Sequence, residues 1–197
     1  MKKTFTFLLV ALLLSACGST TKKLQQGNYD AVINKSVKKL IRKPNADDAS
    51  EMDRAYRLAN DRDIDRIKYL KMENNPDNYD EIFSRYNMLK ERQRQVRTVT
   101  PMTVDGKTYS YNHVDYDAEI IESKRKAADF FYNNGKGLLE NALQKEDYRN
   151  AYYQLVKASE YSGGQFANID ALIYDAHLKG VSRVIVEVHN QTPLLLP

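Results

Sequence analysis

One cysteine, Cys17, stands in a chain of 197 residues, so no disulfide can close within it and packing alone must hold the fold. Tryptophan is absent, while tyrosine occurs 14 times. Tyrosine therefore supplies much of the large packing surface, with a ring that buries and a hydroxyl that stays wet, which suits helix interfaces and grooves.

An excess of one charge is lacking too. Without residues 1–16, and so without Lys2 and Lys3, the chain keeps 28 of its 30 Lys and Arg against 26 Asp and Glu, a net of +2. That near balance argues against a dedicated nucleic-acid binder. Past the N-terminus no apolar run approaches the ~18 residues of a membrane span. Gly-x-Ser-x-Gly, a Walker loop and HExxH are missing. His113, His177 and His189 have no His or Cys at metal-ligand spacing. Asp61, Asp63 and Asp65 mimic the start of a calcium loop, but Arg66 stands where a glycine is needed and Met72 where a glutamate is needed. They read as a solvated helix turn. These absences leave no catalytic residue, metal or small-molecule substrate to assign, and the expectation is a non-enzymatic protein without a cofactor.

What is present begins with Lys2 and Lys3, an apolar run from Phe5 to Leu14, and Leu14-Ser15-Ala16-Cys17 followed by Gly18. A basic start, an apolar core and small residues at a cut site are the parts of a secretory signal. The ten residues from Phe5 to Leu14, apolar but for Thr6, rise only about 15 Å as a helix, roughly half a bilayer core, so the run is too short to span. One reading is an ordinary signal peptide with a leftover thiol. The other is that Leu14 to Cys17 resembles the lipobox of a bacterial lipoprotein. That resemblance implies cleavage between Ala16 and Cys17, a diacylglycerol on the Cys17 sulfur and an acyl chain such as palmitate on its amino group. Two or more chains on one residue anchor stably. Gly18, in place of the aspartate that retains such proteins at the inner membrane, implies the outer membrane, facing the periplasm. Residues 17–26 then form a short polar tether.

Gly27-Asn28-Tyr29-Asp30 opens a helix to about Arg42, stopped before Pro44. Lys35, Lys38, Lys39, Arg42 and Lys43 make a basic face on it, which either touches anionic headgroups at ~1 kcal/mol per cation or is merely solvated. From Asn45, with Asp47, Asp48 and Glu51 acidic at its start, Met52, Ala55, Tyr56 and Ala59 recur at helical spacing. Ile64, Ile67 and Leu70 resume the pattern after a polar interruption near Asn60, giving either a helical hairpin or one long helix bent there. Tyr79, Ile82, Phe83, Tyr86, Leu89 and Val96 mark a third helix to about Arg97. Residues 99–114 break the period. Asp105-Gly106 is a hairpin turn, and Tyr109, Tyr111 and His113 alternate with Ser110, Asn112 and Val114. The tyrosine face is either packed on the helices or, through Tyr109 and Tyr111, an exposed partner contact.

Helix resumes near Asp117 and runs past Gly135 and Gly137, where small residues allow close helix approach. Asp147 to Ala158 forms another helix, ended by Gly163-Gly164, and Phe166 to Ala176 a last one, stopped by Gly180. After it Val184, Val186 and Val188 alternate with Arg183, Ile185 and Glu187, the period of a strand. Residues 181–197 are that strand and a tail. The strand pairs with the hairpin, pairs with a partner, or starts a further domain beyond residue 189.

Gly27-Asn28-Tyr29-Asp30, with Leu40 thirteen and Pro44 seventeen residues after Gly27, resembles the second helix of a tetratricopeptide repeat. Val32 and Lys39 depart from it, standing where the family prefers alanine. Asp147-Tyr148-Arg149-Asn150-Ala151, with Ala158 seven residues on, resembles the same helix. Together with the lipobox, the order over most of residues 14–189 resembles envelope lipoproteins of Gram-negative bacteria built on such helices. The resemblance implies a mainly α fold over 27–180, with tetratricopeptide-like hairpins, a small β-hairpin insertion and a C-terminal strand. It implies a membrane-anchored scaffold that binds envelope proteins. The alternatives are the N-terminal part of a larger envelope protein whose functional domain, catalytic or not, follows residue 189, and a lipoprotein that self-associates through its terminal strand.

Overall fold

The computed structural model describes residues 24–182 and 184–189. Among them are six helices and a two-stranded sheet. These are α1 Tyr29–Arg42, α2 Ala46–Glu73, α3 Asn78–Arg97, β1 Met102–Val104, β2 Lys107–Tyr109, α4 Asp117–Glu140, α5 Lys145–Ser162 and α6 Ile169–Gly180. The helical body falls into two compact units divided after Ala127.

In the first unit α1 and α2 form an antiparallel pair, joined by a three-residue link, and α3 packs on both. The link works because Asn45, in extended conformation, caps α2 by accepting the Asp48 N–H at 2.9 Å. α1 buries Val32, Ile33, Val37 and Leu40, at the three- and four-residue steps of one helical face. These meet Met52, Ala55, Tyr56 and Ala59 of α2 and Val96 of α3 in one core. A second cluster, Ile67, Leu70, Ile82 and Leu89, closes the far end of the α2–α3 pair. Leu24, inside the stretch read as tether, packs against the first core.

No break occurs at Asn60: residues 46–73 are one helix, and the hairpin alternative fails. The polar run Asn60 to Asp63 lacks the glycine or proline that would stop a helix, and Asn74 ends it in the left-handed conformation.

The hairpin forms where expected. Asp105 and Gly106 both have positive φ, 49° and 77°, as a type I′ turn requires. Met102 faces Tyr109 across it.

In the second unit the remainder of α4 packs with α5 and α6. Ala151, Leu155 and Ala176 are buried against Tyr132, Leu138, Leu139, Leu172 and Ile173. Gln144 and Asp147 form a reciprocal capping box at the start of α5, and Gly163 ends it at φ 67°. Gly135 is where α4 meets α5, since a β-carbon there would lie 2.8 Å from Leu155 Cγ.

The C-terminal strand is not found. Residues 184–189 take no regular structure, and the only sheet among the described residues is β1–β2. An alternating pattern gives a segment the capacity to be a strand but no partner. A strand satisfies its backbone only against another edge, and the described elements of the second unit are helices.

Candidate functional site

One candidate binding face lies on α5 and α6. Arg149 of α5 reaches the end of α6, where its Nε donates to the Gly180 carbonyl at 2.9 Å and its Nη1 pairs with Glu146 at 3.1 Å. Gly180 permits this approach, because a β-carbon there would lie 3.1 Å from Arg149 Cγ and 3.3 Å from its backbone nitrogen. Lys145 Nζ donates to Ser182 Oγ at 3.1 Å on the same side.

Behind these polar groups opens a cleft of about 390 Å³, with Tyr152, Tyr153 and His177 on its walls. The Tyr152 ring lies 5.3 Å from that of His177 and 5.6 Å from that of Tyr153. A neighbouring hollow of about 280 Å³ shares Tyr152 and His177 and adds Asp170, Ile173 and Tyr174. Tyr153 is 66% exposed and Tyr174 64%. The cleft offers rings, a cation and hydrogen-bond groups that can hold a ligand.

α1 carries the basic face. Lys38, Arg42 and Lys43 are exposed. Lys39 turns toward α2, where its Nζ pairs with Asp48 at 2.7 Å. Burial, and next the Asp48 charge, push the Glu51 carboxyl above its ordinary range, while Lys39 and Lys35 pull the other way. The basic face is thus divided, with one side balanced by acids of α2 and one facing outward.

Tyr109 and Tyr111 do not form a contact surface. Tyr109 is buried in the first core, and Tyr111 lies half-buried with its ring 4.5 Å from that of Tyr56. Its hydroxyl donates to Asp53 Oδ1 at 2.9 Å. The apolar ring gains more from the α2 surface than from water, and Asp53 satisfies the hydroxyl.

Asp63 is a further correction. It is not solvated but fully buried, and it accepts from Arg85 and Arg92 of α3. Asp63 continues the stripe of Met52, Tyr56, Ala59, Ile67 and Leu70, and that position on the apolar face is the signal that would have placed it inside. Among the described residues no group of three His, Cys, Asp or Glu could hold a metal ion.

A further hollow, of about 690 Å³, lies along α3 beside His113. Its cations are partly spent, Lys90 on Asp117 and Arg94 on Glu91. Gln93 Nε2 and the Arg97 guanidinium both approach His113 Nδ1, at 2.9 and 3.3 Å.

Cys17 lies outside the described residues. No described helix is long and apolar enough to cross a membrane. No protein-family model, curated protein or solved structure matches this chain.

Proposed function

We propose that this chain is a lipid-anchored scaffold of the bacterial cell envelope, held by acyl chains on Cys17 and binding another protein through the α5–α6 face. The observation that carries the second half is the pair of exposed rings, Tyr153 and Tyr174, flanking clefts that also present Arg149 and His177. Tyrosine and arginine are the residues that dominate protein–protein contacts when they sit beside a pocket. The anchoring half is supported by the order Lys2, Lys3, Phe5 to Leu14 and Leu14-Ser15-Ala16-Cys17. The tetratricopeptide-like reading draws support from Ala151 and Ala158, both fully buried seven residues apart where α5 meets its neighbours. Against a helical hairpin between Asn45 and Leu70 stands the single helix α2. The scaffold needs no catalytic residue.

A photo-crosslinking residue at 153 or 174 in cells tests the partner. The expected result is a discrete protein adduct at both positions and none at Lys136, an exposed position of α4 in the same unit. Adducts at neither aromatic position would sink the scaffold reading.

A second reading is favoured by Val184, Ile185, Val186 and Val188, which are 78 to 89% exposed. β-branched residues left so bare suit a strand that completes a sheet, in a second copy, in a partner or in a longer form of this polypeptide. Backbone amide exchange of 184–188 in the purified protein distinguishes these. Protection that grows with concentration favours a second copy. Protection only on adding a partner or in a longer chain favours the others.

A further inference from the structure

α1 spends one face on the core and leaves the other to cations and one bare isoleucine. Val32, Ile33, Ser36, Val37 and Leu40 are buried. Across the helix Lys38, Arg42 and Lys43 are exposed, and Ile41 is 63% exposed. Ile41 and Arg42 stand three and four residues after Lys38, so the three side chains form one continuous patch. No ion pair joins Lys38, Arg42 or Lys43 to another described residue. The acids nearby belong to the first turns of α2. Of these, Asp48 is buried and taken by Lys39 and Asn45, Glu51 is half-buried, and Asp47 is exposed.

A lone apolar side chain ringed by cations makes poor core material, but its chemistry matches the surface of an anionic bilayer. Headgroup phosphates take the cations, and the isoleucine enters the boundary with the acyl chains. The chain's connectivity brings the two together. Residues 18–23 separate Cys17 from Leu24, a reach of at most about 25 Å. Leu24 packs on the core that α1 also covers. α1, with 14 residues, is only about 21 Å long.

We infer that α1 seats on an anionic lipid surface through Lys38, Ile41, Arg42 and Lys43, which fixes how the first unit stands on its membrane. The inference takes its geometry from the lipid anchor proposed at Cys17, but the face itself can be assayed without the anchor.

The test uses residues 18–197, which remove no described residue and contain no cysteine. One reporter cysteine at Asn34, exposed on α1, carries an environment-sensitive fluorophore. The expected result is a blue shift with phosphatidylglycerol-rich vesicles at low salt, lost at high salt and absent with pure phosphatidylcholine. Each cation neutralised, by Lys38→Gln or Arg42→Gln, should lower the partition coefficient about fivefold. Ile41→Ser should lower it severalfold without changing the salt dependence. A reporter at Met72, 83% exposed and about 40 Å along α2 from its start, should not shift. The inference is overturned by no shift at Asn34, by equal shifts at Asn34 and Met72, or by equal binding to both lipids. A shift at Asn34 given by envelope proteins but not by vesicles would assign the face to a protein and overturn it too. Fatty-acid labelling of the full chain decides the anchor separately, so vesicle binding without acylation, or acylation without vesicle binding, shows which of the two ideas failed.

Discussion

Arg92 and Asp63 are both closed off from water, and their side chains meet inside the bundle of α1, α2 and α3. The pair is the centre of a larger network. Arg92 also donates to Asp30 of α1 and, at 3.1 Å, to Asn60 Oδ1 of α2, while the other oxygen of Asp63 takes Arg85. One guanidinium therefore ties α3 to both other helices. Burial lowers the Arg92 pKa, but its hydrogen bonds to Asp30 and Asp63 outweigh it, and the net direction is upward. Removing one partner of such a pair leaves an uncompensated charge in a low-dielectric site.

Asp63→Ala is accordingly expected to destabilise the protein by about 3–5 kcal/mol, read from urea unfolding. Replacing both partners, as Asp63→Leu with Arg92→Met, should recover most of that loss, because no buried charge is left unpaired: Arg85 keeps Glu81, and Asp30 is half-exposed. A loss under about 1 kcal/mol in the single variant would mean that Asp63 is reached by water.

Glu81 gives an acid-side prediction. Hydrogen bonds from Arg66 lead, burial opposes them and Arg85 adds to them, and the carboxyl is pulled from its ordinary 4.5 down to about 2. Its folded pKa is depressed, so its contribution is fully present above the unfolded value and lost as pH falls from about 4.5 toward 2. Glu81 is partly exposed, so the contribution is screened. Unfolding curves across that window should show a shallower loss of stability for Glu81→Gln than for the native chain. Identical slopes would remove Glu81 from the acid response.

The two helical glycines of α4 should part company. At Gly135 an alanine β-carbon would meet Leu155 Cγ at 2.8 Å and Gln154 Cβ at 3.0 Å, whereas at Gly137 it meets nothing. Gly135→Ala is expected to cost about 1–3 kcal/mol through overpacking. Gly137→Ala should gain up to about 1 kcal/mol from helix propensity. Thermal melts of the two variants suffice, and shifts of the same sign would count against the α4–α5 contact.

Tyr111 should titrate above the ordinary range of a tyrosine. Burial first, then its hydrogen bond to Asp53 and the Asp53 charge, raise its pKa. A raised folded pKa gives stability that is present below the unfolded value of about 10 and lost as pH climbs above it. Ultraviolet titration of Tyr111→Phe should lack a late, alkaline phenolate step that the native chain shows. Loss of an early step instead would place Tyr111 in solvent.

The anchor prediction concerns Cys17. Cys17→Ser should abolish lipid attachment, because the thiolate is the far better nucleophile and serine offers only a hydroxyl. Processing after Ala16 should fail with it. Metabolic labelling with a fatty acid, followed by membrane fractionation, reads both, and unlabelled native protein in the soluble periplasm would end the lipoprotein reading.

The helices were legible because the apolar spacing of Val32, Ile33, Val37 and Leu40, or of Ala151, Leu155 and Ala158, is a local property of the chain. Their ends were legible too, since Pro44, Asn45 and Gly163-Gly164 act on their own backbone. The Asp105-Gly106 turn is equally local, two positive φ values that these residues tolerate.

Tertiary structure decided whatever depended on a partner distant in sequence. Asp63 lies on an apolar stripe, yet only Arg85 and Arg92, 22 and 29 residues away, make its burial tolerable. Tyr109 and Tyr111 alternate whether they face water or a helix, and only the core around Tyr56 and the Asp53 carboxylate chose the inward side. Val184 to Val188 have the spacing of a strand but pair with no edge among the described residues, so the pattern stayed unused. Periodicity fixes which side of an element is apolar. What covers that side is set by the rest of the chain, because burial and ion pairing are properties of contacts and not of a segment.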